Sequence, residues 1–123
     1  MTDTSDIRPL SRAEQKAHLD RVSRTFALTI TALPDELCDY VSCAYLLCRI
    51  ADTIEDDPKM APSDKVDELN TMSLVFDGAV SSTDFHDGVM GRLSANEAET
   101  ALMDDIPRVF ARFGSYPDSV RAV

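Results

Sequence analysis

Four carboxylates crowd into six positions at Asp52-Thr-Ile-Glu55-Asp56-Asp57, and Arg49 stands three residues ahead of the first. Carboxylates this close repel one another unless cations intervene. Mg2+ answers that need, because it takes oxygen ligands, keeps several waters and is commonly shared with substrate phosphates. A solvated helix end answers it as well, with Arg49 salt-bridged to Asp52 for roughly 0.2–0.5 kcal/mol. Spacing alone discriminates little. With 22 acidic residues in 123, about four acid–x–x–x–acid pairs arise by chance.

Winding residues 41–56 as a helix separates two faces. Cys43, Leu46, Leu47, Ile50 and Ile54 share one apolar sector, an ordinary core face. Val41, Tyr45, Arg49, Asp52 and Asp56 fall on the other side, flanked by Cys48 and Glu55. A plain surface helix carries polar residues along that whole side. Here apolar and aromatic residues hold one end and carboxylates the other, which suits a cavity wall with a charged mouth. On spacing and faces, a metal–phosphate site and a solvated helix end stand level.

The elements that must position these residues read as helices throughout. Ser11-Arg-Ala-Glu14 is a capping box, followed by Leu19, Val22, Phe26, Ile30 and Leu33 at helical spacing, with a break near Val22-Ser-Arg-Thr-Phe26. Pro34 ends that segment and opens the next, which is predicted to run to Asp57, where Pro58 stops it. Ser63 is predicted to cap a third helix with an apolar stripe of Val66, Leu69, Met72 or Ser73, Phe76 and Val80. Ser81 to Gly91, polar with two glycines, reads as a loop. Ser94-Ala-Asn-Glu97 is a second capping-box sequence, leading into Ala98, Ala101, Leu102 and Ile106. Pro107 kinks or restarts that helix and Gly114 closes it, before a last proline-started helix at the chain end. A chain that stops as a helix begins looks cut.

Composition narrows the function classes. A 44% hydrophobic content supports a packed core, and 22 acidic against 12 basic residues give a net charge of −10. That charge repels nucleic acid and anionic lipid surfaces. Cys38, Cys43 and Cys48 are odd in number, against a disulfide framework and for a reducing compartment. Spaced five apart, they fan out by about 140° per step on a helix and so read as buried thiols rather than zinc ligands. No signal peptide and no membrane-spanning run is visible, so the expectation is a cytoplasmic protein. His18 and His86 lack partners at ligand spacing and read as surface residues.

Two blocks carry a resemblance. "SRTFALTITALP", Ser23 to Pro34, followed by "YLLCRIADTIEDD", Tyr45 to Asp57, resembles the squalene/phytoene synthase family of head-to-head prenyl transferases. The likeness is close over residues 19–58 and general from 59 to 123. "DTIEDD" is nearer the squalene-type spelling than the phytoene-type one.

The resemblance implies an all-α isoprenoid synthase fold around a deep apolar cavity. It implies two farnesyl diphosphates joined through a cyclopropyl diphosphate, with reduction by NADPH in a true squalene synthase. Asp52, Glu55 and Asp56 match the family's first aspartate-rich motif, which binds Mg2+ and through it the diphosphate. Ser23, Arg24 and Phe26 match the serine–basic–x–Phe element near the substrate. Arg49 matches the diphosphate-side arginine, and Tyr45 an aromatic facing the cavity. The partner it implies is a prenyl diphosphate, with membrane association arising only through the apolar product.

One departure from the family is large. No second aspartate-rich helix is visible: Asp64-Lys-Val-Asp67-Glu68 reads as a solvated helix start, Asp84-Phe-His-Asp87 sits in the expected loop, and Asp104-Asp105 precedes the proline. Residues 1–123 are therefore expected to be the N-terminal portion of one synthase domain, inactive alone. Alternatives are a phytoene- or dehydrosqualene-type product on the same fold, or a non-catalytic helical member that binds a partner.

Overall fold

The computed structural model describes residues 7–94 and 97–122, the side chains of 97 and 98 excepted. Among the described residues eight helices follow in order: α1 (Arg12–Val22), α2 (Arg24–Ile30), α3 (Asp35–Glu55), α4 (Pro62–Phe76), α5 (Ser82–Met90), α6 (Glu97–Asp104), α7 (Ile106–Gly114) and α8 (Asp118–Arg121). No strand occurs among the described residues. The all-α expectation holds.

The local signals explain most boundaries. Ser11 Oγ accepts the Glu14 amide while Glu14 Oε1 accepts the Ser11 amide, closing the capping box of α1. The break at Ser23 ends α1 and starts α2. Pro34 precedes α3, which ends at Glu55, with Asp56 as its C-cap. Pro107 sits in the first turn of α7, where a missing N–H costs nothing.

α3 is the axis of the fold, in contact with α1, α2, α4, α6 and α7. Its inward face is the predicted one: Cys43, Leu46, Leu47, Ile50 and Ile54 are all buried. Leu19 from α1, Phe85 and Val89 from α5, Leu102 and Met103 from α6, and Ile106 and Val109 from α7 complete that core. Asp39 ties three helices together from within. Its carboxylate accepts hydrogen bonds from Gln15 of α1, Arg112 of α7 and Tyr116 after α7, with Arg12 alongside. Burial opposes ionisation of Asp39, but bonds from Arg112 and Tyr116 outweigh it, and its pKa is lowered.

Four expectations are corrected, one of them for the thiols: Cys43 is buried, but Cys38 is half-buried and Cys48 exposed. The segment 82–90 is a helix, not a loop: Ser81 Oγ accepts the Asp84 amide, and Phe85 and Val89, one turn apart, are fully buried. Its Gly88 faces Glu68 of α4, whose Oε1 would stand 3.4 Å from a Cβ there, an ordinary contact distance. Ser63 is no cap; Ala61 holds that position without a side-chain bond and Pro62 opens α4. The stripe of α4 also differs. Met72 is buried as predicted, but so is Glu68, whereas Val66 and Phe76 are exposed. Phe76 instead lies against Phe110 and Phe113, with ring centroids 5.0 and 5.4 Å away. The Ser94–Glu97 capping box lies in part outside the described residues; Ser94 Oγ donates to Asp57.

Candidate functional site

The four carboxylates of the acidic block divide into two kinds. Asp52 lies in the last turn of α3, with Glu55 its final residue and Asp56 its C-cap. All three are exposed, and their carboxylates carry no hydrogen bond or ion pair from other described residues. Asp57 is buried and fully engaged. Its Oδ1 accepts the Lys59 and Met60 amides, each at 2.9 Å, and the Ser94 hydroxyl at 2.8 Å; its Oδ2 accepts the Ser94 amide at 2.7 Å. Burial alone would raise the Asp57 pKa, but these bonds outweigh it and hold it at about 2. The sequence offered no means to tell Asp57 from its neighbours, apart from Pro58 directing the chain into a turn there.

One and two turns back along α3 stand Arg49 and Tyr45. The Tyr45 ring stacks on Phe26 of α2, with centroids 4.1 Å apart and planes 12° from parallel. α2 supplies that partner because the break at Ser23 turns it onto α3. Ser23 is half-buried at the junction, and Arg24 is exposed at the first position of α2. Tyr45 and Arg49 are half-buried and Asp52 and Asp56 exposed, opposite the fully buried Leu46, Ile50 and Ile54. The two-faced reading of α3 holds in that respect. Val41 differs: it lines a groove of about 450 Å³ with Leu37, Tyr40, Ala44 and Leu47 of α3 and Phe113 and Tyr116 beyond.

Arg49 does not pair with Asp52. Its Nη2 donates to Glu99 Oε1 of α6 at 2.8 Å, and its Nε is buried without a partner. Glu99 lies fifty residues away, so no local spacing pointed to it.

His18 corrects the surface assignment. It is 4% exposed, and its Nε2 lies 2.7 Å from Asp105 Oδ2. His86 is half-buried between Asp87 and Asp104, at 2.9 and 3.2 Å. Asp104 and Asp105, set aside in the sequence, are thus the two acceptors that fasten the α6–α7 junction to α5 and α1. Nor is the Asp64–Glu68 segment wholly solvated. Glu68 is buried, one oxygen has no partner, and desolvation raises its pKa.

The exposed carboxylates fit a hard cation, since they present oxygen ligands free of other bonds. Among the described residues no three His, Cys, Asp or Glu side chains form a group able to hold a metal alone. Ligands beyond these carboxylates would come from water and substrate oxygens. No helix is long and apolar enough to cross a membrane among the described residues.

Comparison with known proteins agrees with these features. The squalene/phytoene synthase family model matches residues 19–120. Squalene synthase BSS of Botryococcus braunii is 35% identical over 97 residues, covering 77% of this chain and 19% of that protein. Lycopaoctaene synthase of the same organism is 45% identical over 53 residues, 43% of this chain and 12% of its own length. Squalene synthase of Solanum lycopersicum is 50% identical over 48 residues, 39% of this chain and 12% of that protein. The chain thus spans a fifth or less of the length of these curated relatives. No solved structure matches it significantly. With the family model covering most of the chain, and an all-helical fold carrying the two sequence blocks on adjacent helices, this protein belongs to the squalene/phytoene synthase family.

Proposed function

We propose that this chain supplies the first diphosphate- and Mg2+-binding wall of a prenyl transferase that joins two farnesyl diphosphates head to head through a cyclopropyl diphosphate. In this reading residues 1–123 are the N-terminal portion of one longer domain, acting in the cytoplasm and inactive alone. The observation that carries it is the gradient along one side of α3, from the Phe26–Tyr45 stack through Arg49 to the unpaired carboxylates of Asp52 and Asp56.

Each residue has a task that follows from its chemistry. Asp52, Glu55 and Asp56 would hold Mg2+, which when bound offsets the charge of a departing diphosphate. Arg49 stabilises that same charge as the allylic C–O bond breaks. Tyr45 and Phe26 present π faces to the allylic cation and steady it without trapping it as a nucleophile would. Ser23 and Arg24, at the start of α2, would contact the substrate beside that stack. NADPH enters only if the cyclopropyl intermediate is reduced to squalene. A different product of the same fold is the second reading, favoured by the lycopaoctaene synthase among the relatives.

The test is calorimetric titration of inorganic diphosphate into the chain with and without Mg2+. Binding should require Mg2+ and be lost in the Asp52→Asn, Asp56→Asn double variant. Equal affinity in that variant would overturn the assignment. Radiolabelled farnesyl diphosphate incubated with the chain, Mg2+ and NADPH should yield no product.

A further inference from the structure

Arg49 is the one basic residue of α3, and its guanidinium is gripped from a different helix. Nη2 donates to Glu99 Oε1 at 2.8 Å, with both side chains half-buried. An unrestrained arginine at the end of a long side chain samples many rotamers, and each costs conformational entropy to recruit. One charge-assisted bond in a partly desolvated setting removes much of that freedom before any ligand arrives.

The helix that offers Glu99 is itself held at both ends. Before it, Ser94 is fastened by its amide and hydroxyl to Asp57, immediately after α3. At its far end, His18 of α1 holds Asp105 and His86 of α5 holds Asp104. Leu102 and Met103 are fully buried between these anchors. α6 is therefore not free to slide along α3, and Glu99 meets Arg49 at a set height. Asp57, the carboxylate of the acidic block that faces inward, belongs to that support.

We infer that Glu99 is a positioning residue for Arg49, holding the guanidinium in the orientation in which it receives a diphosphate oxygen. The inference rests on the Arg49 role proposed above and adds to it a partner from outside both sequence blocks. Glu99 acts through Arg49 and touches no substrate. A competing role is the reverse one, in which Glu99 occupies Arg49 and must be displaced by the diphosphate. The two predict opposite signs.

The experiment compares wild type, Arg49→Ala, Glu99→Gln and Glu99→Asp in the 123-residue chain. Inorganic diphosphate with Mg2+ is the probe, and the Arg49 Nε–H resonance is followed in isotope-labelled protein without ligand. Expected are a loss of roughly tenfold or more in affinity for Arg49→Ala, a smaller loss for Glu99→Gln, and partial recovery in Glu99→Asp. The Nε–H resonance should shift in Glu99→Gln towards that of a free arginine, while the melting temperature stays near wild type. A purely structural Glu99 would move the melting temperature and leave affinity alone, overturning the inference. Tighter binding in Glu99→Gln would overturn it too, in favour of the competitor role. An unshifted Nε–H resonance overturns it whatever the binding shows. If Arg49→Ala binds normally, the Arg49 assignment fails first; if Arg49→Ala is weak and Glu99→Gln normal, only the Glu99 inference fails.

Discussion

Asp57 and Ser94, thirty-seven residues apart, are joined by two hydrogen bonds, from the Ser94 amide at 2.7 Å and its hydroxyl at 2.8 Å. The same carboxylate accepts the Lys59 and Met60 amides, so one buried side chain both closes the turn after α3 and fixes the approach to α6. Removing it leaves buried donors without a partner. Asp57→Ala should cost about 1–3 kcal/mol of stability, read by urea unfolding, while exposed Asp56→Ala should fall within about 0.5 kcal/mol of wild type.

The Asp57 contribution depends on pH with a definite sign. Its pKa falls from 3.8 to about 2 on folding, so the folded protein favours the ionised form. The stabilisation is complete above pH 3.8 and is lost as pH falls through about 2. Unfolding free energies of wild type and Asp57→Asn, measured from pH 7 to pH 2, should therefore converge at the acid end. A constant gap across that range would contradict the ionised, hydrogen-bonded carboxylate.

Glu68 should behave oppositely. Desolvation raises its pKa, against a smaller lowering by Arg92, so folding favours the neutral acid. Its ionisation costs stability, and the cost grows as pH rises above the unfolded value of 4.5. Glu68→Gln should be more stable than wild type at pH 8, with the advantage fading below pH 4. Thermal melts at the two pH values decide it, and a variant less stable than wild type at pH 8 would count against a buried, poorly partnered carboxylate.

The two sides of α3 should separate in mutagenesis. Ile50 is fully buried, so Ile50→Ala should lose about 2–5 kcal/mol through lost burial and a residual cavity. Asp52→Asn should leave unfolding unchanged and weaken Mg2+-dependent diphosphate binding. A stability loss in Asp52→Asn comparable to that of Ile50→Ala would mean that Asp52 serves the fold.

The Phe26–Tyr45 stack should register as a coupling between α2 and α3. A double-mutant cycle with Phe26→Leu and Tyr45→Leu should give about 0.5–1.5 kcal/mol beyond the area buried. Strict additivity would show that the rings are neighbours without mutual stabilisation.

Amphipathic periodicity and capping are local properties, and they made the helices α1 to α3, the break at Ser23 and the buried face of α3 legible in the sequence. They also placed Tyr45, Arg49, Asp52 and Asp56 on the side away from that face, since residues three and four apart on a helix share a side whatever surrounds it. α5 escaped because its apolar content is three residues, Phe85, Val89 and Met90, within a polar run containing Gly88. Only burial against α4, α6 and α7 makes so short a stripe sufficient. Tertiary structure alone decided which of four adjacent carboxylates turns inward, that Glu99 rather than Asp52 receives Arg49, and that His18 is buried against Asp105. Each of these pairings joins segments far apart in the chain. Helix packing sets which side chains meet across such a distance, and no local spacing encodes it.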